Sequence, residues 1–336
     1  MSILTTNYSK HSVGIDEYIK VHHKSPDQYA NYRRMWDQNM VAGGGSNLLF
    51  LLLESTSKCN LKCPMCSHYD GYPQTADMNE EIFKKALKGI KDMQIPSVCM
   101  NLTNEPLLDK GIFDKIKAVS DIDSVFDIHM NTNATLLDEK AATKLLSSGL
   151  TRLLIGFDGF SKETYESVRN KAKYEIVLNN ILNFIKLKEE SKKVFPVVRL
   201  SFVKTSMNEN EIEQWVDFWK DKVDYLIIQE YLSTVADNSK DYLKPQNSLR
   251  KGISKDNIFC NQPFERLAIR GNGDVLPCCS HLMAGNGGAV GNLLYNSLDE
   301  IWNNDKMQSI RNAFLNSTWD NHPICSKCLS TTYKLE

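Results

Sequence analysis

The chain has 336 residues, 42% hydrophobic and 24% charged, which suits one large globular domain or a large domain plus a small one. With 40 basic and 41 acidic residues the net charge is −1, so no basic field draws the protein to nucleic acid or an anionic membrane. The longest apolar run, "LLFLLL" at 48–53, is far too short to span a bilayer, and "MSILTTNYSKHS" lacks the regions of a signal peptide, so a cytoplasmic protein is expected.

Residues 1–47 read as an N-terminal extension. In it "SPDQYANYRRMW" offers Ser25 as a helix N-cap, Pro26 at the first helical position and Gln28 to close a capping box, and "AGGGSN" at 42–47 is a flexible break. His22 and His23 have no cysteine or carboxylate pattern around them that would point to a metal. From 48 a rhythm sets in. β-rich runs at 48–56, 97–103, 125–131, 152–158, 196–204 and 223–230 alternate with helical patterns. The clearest helix is "NEEIFKKALKGIKDM", with Ile82, Phe83, Ala86, Leu87, Ile90 and Met93 on one face, and others begin near Asp109, Asp138, Ser161, Lys173 and Asn208. Six strand-then-helix units over 48–232 imply a parallel sheet with right-handed crossovers, curled into a partial (β/α)6 barrel of the TIM type. The fold class is therefore α/β, with the chemistry expected at the C-terminal ends of the strands. Residues 233–256 are polar and read as a linker. A small cysteine-bearing domain, 257–336, follows and opens on a hairpin at "RGNGDV", where Asn272-Gly273 supplies the positive φ of a tight turn.

Nine cysteines in a reducing compartment read better as metal ligands than as disulfides. Cys59, Cys63 and Cys66 share the loop after the first strand. Three thiolates can hold three irons of a cubane and leave the fourth open to chelate a ligand. A structural zinc site with His68 as fourth donor is the rival for this loop, and a four-cysteine zinc site is the rival for the C-terminal group. Cys99, inside a β-rich run, reads as a small buried residue. Cys279 reads as a passive neighbour of a ligand, as the ligand itself, or as a redox thiol.

The spacing Cys-x3-Cys-x2-Cys resembles the signature of the radical S-adenosylmethionine (radical SAM) superfamily, and the likeness extends over roughly 48–330. "TNEPLLD" at 103–109 resembles the family's Gly-Gly-Glu-Pro segment, with Glu105 and Pro106 matching and Asn104 in place of a glycine. "NTNATLLD" at 131–138 resembles its Thr-Asn-Gly-Thr strand end, with Ala134 for glycine. "GFDGFSKETYESVR" at 156–169 resembles the segment that ends in a SAM-contacting arginine, here Arg169, and Gly156 stands where a ribose-contacting serine is common. Met65 holds a position often aromatic and packed near adenine. "CNQPFERLAIRGNGDVLPCC", "GNLLYNSLDEIWNNDKMQSIR" and "CSKC" are similar to a SPASM/twitch extension.

This resemblance implies two [4Fe–4S] clusters, one on Cys59, Cys63 and Cys66 that binds SAM, and an auxiliary one closed by Cys260, Cys278, Cys325 and Cys328. It implies that Asn104, Glu105, Asn131, Asn133 and Arg169 contact SAM. An electron from a one-electron reductant such as flavodoxin or ferredoxin would cleave SAM to a 5′-deoxyadenosyl radical, which removes hydrogen from substrate. Arg199 and Glu230, near the ends of strands five and six, are candidate catalytic residues, though a salt bridge or strand alternation accounts for them equally well. The step from Cys260 to Cys278 and the closing Cys-x2-Cys are similar to twitch enzymes such as 2-deoxy-scyllo-inosamine dehydrogenase. The expected substrate is a small polyol, amino sugar or nucleotide sugar, oxidised rather than epimerised. Epimerisation would need a thiol to return hydrogen, for which Cys279 is the best-placed candidate. The alternative is a maturase of a ribosomal peptide, although about 47 residues ahead of the barrel are few for a peptide-recognition domain. A radical SAM RNA methylase fits poorly with the near-neutral charge.

Overall fold

The computed structural model describes residues 5–9, 26–39, 47–71, 74–233, 238–247, 252–254, 258–281, 288–332 and 334–335. Strand β1 (Thr5–Ser9) and helix α1 (Pro26–Asn39) precede the barrel. Then follow β2 (Phe50–Leu53), α2 (Glu80–Asp92), β3 (Ser97–Cys99), α3 (Ile112–Ser120), β4 (Asp127–Thr132), α4 (Glu139–Ser147) and β5 (Arg152–Gly156). Helices α5 (Lys162–Val168) and α6 (Tyr174–Glu190) lead to β6 (Val197–Lys204), α7 (Ile212–Trp219) and β7 (Tyr225–Glu230). The C-terminal part holds β8 (Gly252–Ile253), α8 (Gln262–Glu265), β9 (Arg266–Ile269), β10 (Asp274–Leu276), β11 (Gly291–Asn292), α9 (Leu298–Asn303), α10 (Asp305–Leu315), α11 (Pro323–Thr332) and β12 (Lys334–Leu335).

Strands β2 to β7 lie parallel and in chain order, because each return crosses over through helix. This is the α/β partial barrel expected. Helix starts follow local chemistry: the side chains of Asn79, Asp138 and Ser161 accept from Ile82, Ala141 and Thr164 amides. On α2, Ile82, Ala86 and Ile90 are buried, with Phe83, Leu87 and Met93 partly buried against the same core. Ser25, His22 and His23 lie outside the described residues.

Two long-range pairings extend the sheet beyond the expected six strands. β1 runs antiparallel along β7, Thr5 opposite Gln229. β9 runs parallel to β2, Phe50 opposite Arg266 and Leu53 opposite Ile269, so the hairpin continues the barrel sheet. Its turn uses Gly273 at φ +87°, as the sequence requires. Behind this seam Glu54 and Arg270, both almost fully buried, stand 3.4 Å apart, and the Thr75 hydroxyl donates to the same carboxylate. A charge buried there requires its partner.

Helix α1 closes the barrel at the N-terminal ends of the strands. Tyr32 stacks on Phe126 with ring centroids 5.3 Å apart, and its hydroxyl donates to Asp127. Arg152 holds the other side of that carboxylate at 3.1 Å, and Trp36 packs near Phe50. The opposite end of the barrel stays open.

Candidate active site

That open end is a cavity of about 440 Å³ at the C-terminal ends of the parallel strands. Strands β4 to β7 contribute residues at their C-terminal ends, the segment after β3 contributes residues 101–105, and the loop after β2 contributes Cys59, Leu61, Cys63, Met65 and Cys66. All three thiols of the loop therefore face one space. Burial pushes up the Cys59 thiol and pushes Cys63 up to about 12, with the Arg169 charge opposing. Desolvated thiols become stable thiolates only against positive charge, which an iron cluster supplies. Among the described residues no three donors close on a single metal ion, and His68 does not line the cavity. Three thiols on the lining of one cavity of this size suit a cubane with one open iron.

Glu105 stands beside the loop, almost fully buried. Its carboxylate accepts from the amides of Leu107 (3.1 Å) and Asn133 (2.7 Å) and from the Thr132 hydroxyl (2.8 Å), tying the end of β3 to that of β4. Burial raises its pKa against those bonds. Asn133 in turn donates to Asn60 Oδ1 at 2.9 Å, and its Nδ2 is 3.9 Å from Cys59 Sγ. Asn60 was not singled out by sequence reasoning, although it sits next to Cys59. Ala134 adopts φ +57°, the region a glycine would prefer, which explains why the segment it resembles carries one. Asn104 accepts from the Leu102 amide at 2.9 Å and keeps Nδ2 buried without a partner, and it lines the cavity with Asn131.

Arg169 ends α5, and its guanidinium lies over Gly156 at the cavity wall. Asp158, which sequence reasoning also passed over, accepts from Arg169 Nε and, at 2.6 Å, from the Val203 amide. The fully buried Asp158 carboxylate keeps the half-buried arginine firmly charged and fixes it in place.

Glu230 lines the same cavity, beside Gln229, Tyr231 and Leu232. Arg199 does not. It lies lower in the barrel against the Tyr225 ring, at a second cavity of about 40 Å³ shared with His129, Asn131 and Arg152. Cys99 is buried beneath the cavity with its sulfur 3.4 Å from Asn101 Oδ1.

In the C-terminal part, Cys260 comes within electrostatic reach of Cys325 and Cys328, Cys278 of Cys260, Cys279 and Cys328, and Cys325 of Cys328. Burial pushes Cys260 up to about 12 and Cys325 up to about 11, and raises Cys278 well above the ordinary thiol range. Four thiols gathered this way fit a closed cluster. Two neighbours come with them: the Ser280 hydroxyl lies 3.0 Å from Cys328 Sγ, and His281 Nε2 lies 4.0 Å from Cys325 Sγ. Cys279 is exposed, 4.0 Å from Gln262 Oε1, and lines no part of the main cavity.

Comparison with known proteins agrees with this arrangement. Residues 53–218 match the radical SAM superfamily and residues 260–329 match an iron–sulfur cluster-binding domain, SPASM. A GTP 3′,8-cyclase of Petrotoga mobilis is 26% identical over 201 residues, 57% of this chain and 58% of that relative. The chain thus spans under two thirds of that protein's length. Among solved structures, SuiB of Streptococcus suis superposes with a TM-score of 0.63 at 17% identity, covering 90% of this chain and 74% of its own. BtrN in complex with AdoMet and 2-DOIA gives 0.53 at 17% identity, covering 84% and 92%. At such identities the likeness is one of fold. Two matched segments, in the order and with the cysteines described, make the chain a member of the radical SAM superfamily, an enzyme that binds SAM at a [4Fe–4S] cluster and carries an auxiliary cluster in a C-terminal SPASM domain.

Proposed function

We propose that this enzyme removes hydrogen from a small polyol or amino sugar that carries no phosphate, and that the product is oxidised rather than epimerised. The charge of the cavity carries the substrate half of this reading. Among the described lining residues the basic side chain is Arg169, already engaged by Asp158, while Glu230 adds a second carboxylate to that of Glu105. A phosphorylated or nucleotide-linked substrate would need a cluster of basic donors to replace its water, and a hydroxyl-rich or amine-bearing one does not. Ser201, Gln229, Asn101 and Asn131 offer hydrogen-bonding groups suited to hydroxyls.

The thiols support oxidation. Returning hydrogen to the opposite face calls for a donor at the substrate, yet Cys279 and Cys99 both lie off the cavity lining. The thiols on the lining are Cys59, Cys63 and Cys66, which we assign to the first cluster. When bound, SAM at that cluster supplies hydrogen abstraction, driven by a one-electron reductant such as flavodoxin or ferredoxin, and the auxiliary cluster supplies an acceptor for the second electron. The chain's own part is placement. Glu105 has an acceptor site left for an ammonium group, Asn104 Nδ2 is an unused donor for a carboxylate, and Arg169 holds a cation at the wall. Leu61, Met65, Leu154, Val203 and Leu232 supply apolar lining that keeps water from the reacting atoms.

A peptide substrate fits less well. The edge of β7, where an extended peptide could add as a strand, already carries β1. The test is an anaerobic assay of the reconstituted enzyme with reductant and SAM. Substrate-dependent 5′-deoxyadenosine with unphosphorylated polyols or amino sugars supports the reading. Turnover confined to nucleotide-linked substrates or to peptides overturns it.

A further inference from the structure

The connection between β7 and the C-terminal part reads in sequence as a polar linker. In the structure its short helical turn, Asn238–Leu243, sends Lys240 back against the cluster loop. Lys240 is 4% exposed. Its ammonium donates to the Pro64 carbonyl at 2.6 Å, pairs with Asp70, and lies 5.1 Å from the centroid of the Tyr69 ring. Pro64 directly follows Cys63, and Asp70 stands just beyond Cys66. One side chain therefore grips both ends of the stretch that follows Cys63 and carries Cys66. The turn is itself anchored on the barrel rim, since Ser206 N donates to Leu243 O at 3.2 Å and Gln246 N to Glu209 at 2.8 Å.

An apolar side chain could fasten a loop at lower cost, because an ammonium taken out of water loses several kcal/mol of hydration unless fully partnered. Lys240 brings a positive charge to the thiol loop, and Asp70 brings the balancing negative one. Net charge and nearby dipoles set how readily an iron–sulfur cluster takes an electron. Removing Lys240 takes a positive charge from beside the loop and removing Asp70 takes a negative one, so the two removals act with opposite sign.

We propose that Lys240 is a positioning residue for the first cluster: it fixes the shape of the loop of Cys59, Cys63 and Cys66 and, together with Asp70, sets the electrostatic field there. The proposal rests on the assignment of those three cysteines and is independent of the substrate.

The test is a redox titration of the anaerobically reconstituted, SAM-free enzyme, followed by electron paramagnetic resonance, with the auxiliary cluster as internal control. Relative to the wild type, Lys240→Met lowers the midpoint potential of the first cluster and Asp70→Asn raises it. The double change returns close to the wild type, and Lys240→Arg stays near it. The auxiliary potential holds still throughout. In the iron-free chain, amide exchange over residues 64–70 is faster in Lys240→Met. Shifts of the same sign in both single variants, or no shift in either, overturn the proposal. Should Lys240→Met fail to retain the first cluster, Asp70→Asn decides alone: a raised potential supports the proposal and an unchanged one overturns it.

Discussion

A β-carbon on Gly156 would stand 2.1 Å from Nη2 of Arg169. The absence of a side chain at 156 is thus what lets the guanidinium lie across the end of β5 and reach the cavity. In the segment this stretch resembles, a serine commonly occupies that place, so here the arginine fills the volume the serine would. Gly156→Ala must push the guanidinium off the wall or break its pairing with Asp158. SAM affinity is expected to fall about tenfold, the equivalent of ~1.4 kcal/mol, with iron content unchanged. Equilibrium dialysis with labelled SAM measures it, and an unaltered affinity would remove Arg169 from the SAM site.

Glu105 does two things that its variants separate. Three donors converge on its carboxylate, so Glu105→Ala strands buried amides of Leu107 and Asn133 and costs stability of about 2–4 kcal/mol besides weakening SAM binding. Both clusters should still assemble. Glu105→Gln keeps an acceptor for part of this set, so it should recover stability more than it recovers SAM affinity, because the charge for an ammonium partner is gone. Denaturation midpoints and SAM titrations read the two effects apart. Equal recovery of both would show that the carboxylate's charge does not matter to SAM.

Inside the barrel, burial lowers the His129 pKa to about 4, with Arg152 and Arg199 adding to the effect and Asp127 opposing it. Because the folded state then binds fewer protons than the unfolded one, His129 contributes stability above pH ~6.5 that is lost as pH falls toward 4. The loss amounts to at most about 3 kcal/mol. Anaerobic denaturation series between pH 7 and 4 should show this slope in the wild type and a shallower one in His129→Gln. An unchanged slope would place the proton uptake elsewhere.

The reaction outcome has its own test in the C-terminal thiols. Cys278→Ala should lower iron from about eight to about four per chain and abolish turnover, while Cys279→Ala, whose thiol is exposed and off the cavity, keeps most of both. Products formed in deuterium oxide should carry no new carbon-bound deuterium. Deuterium at an inverted carbon, lost in Cys279→Ala, would make the enzyme an epimerase.

What could be read from sequence and what could not divide along one physical line. The faces of α2, the helix starts at Asp138 and Ser161, and the turn at Gly273 depend on neighbours within a few residues, and each was legible. So were the cysteine spacings, since the loop's chemistry is local. Thr5 pairing with Gln229 and Phe50 with Arg266 are contacts between distant strands, and no periodicity in "TTNYS" or "RLAI" specifies the partner. Lys240 was hidden for a related reason: a lysine in a polar stretch looks solvated until Pro64 and Asp70 are brought to it. Arg199 shows the converse. Its position near a strand end suggested the mouth of the barrel, but inward-facing residues stack in layers, and it belongs to a lower one than Ser201 and Val203.

The pairing of β9 with β2 bears on how the molecule is made. Strand β2 is the first of the barrel to leave the ribosome, with the apolar sequence Phe50–Leu53, and one of its two flanks stays unpaired until β9 has been synthesised. During that interval the nascent chain shows a bare apolar edge, the kind of surface on which strands of other chains add. A truncated chain ending before residue 258 would keep that edge permanently and would also leave the Glu54 carboxylate without Arg270. Such a fragment should precipitate rather than behave as a free-standing barrel.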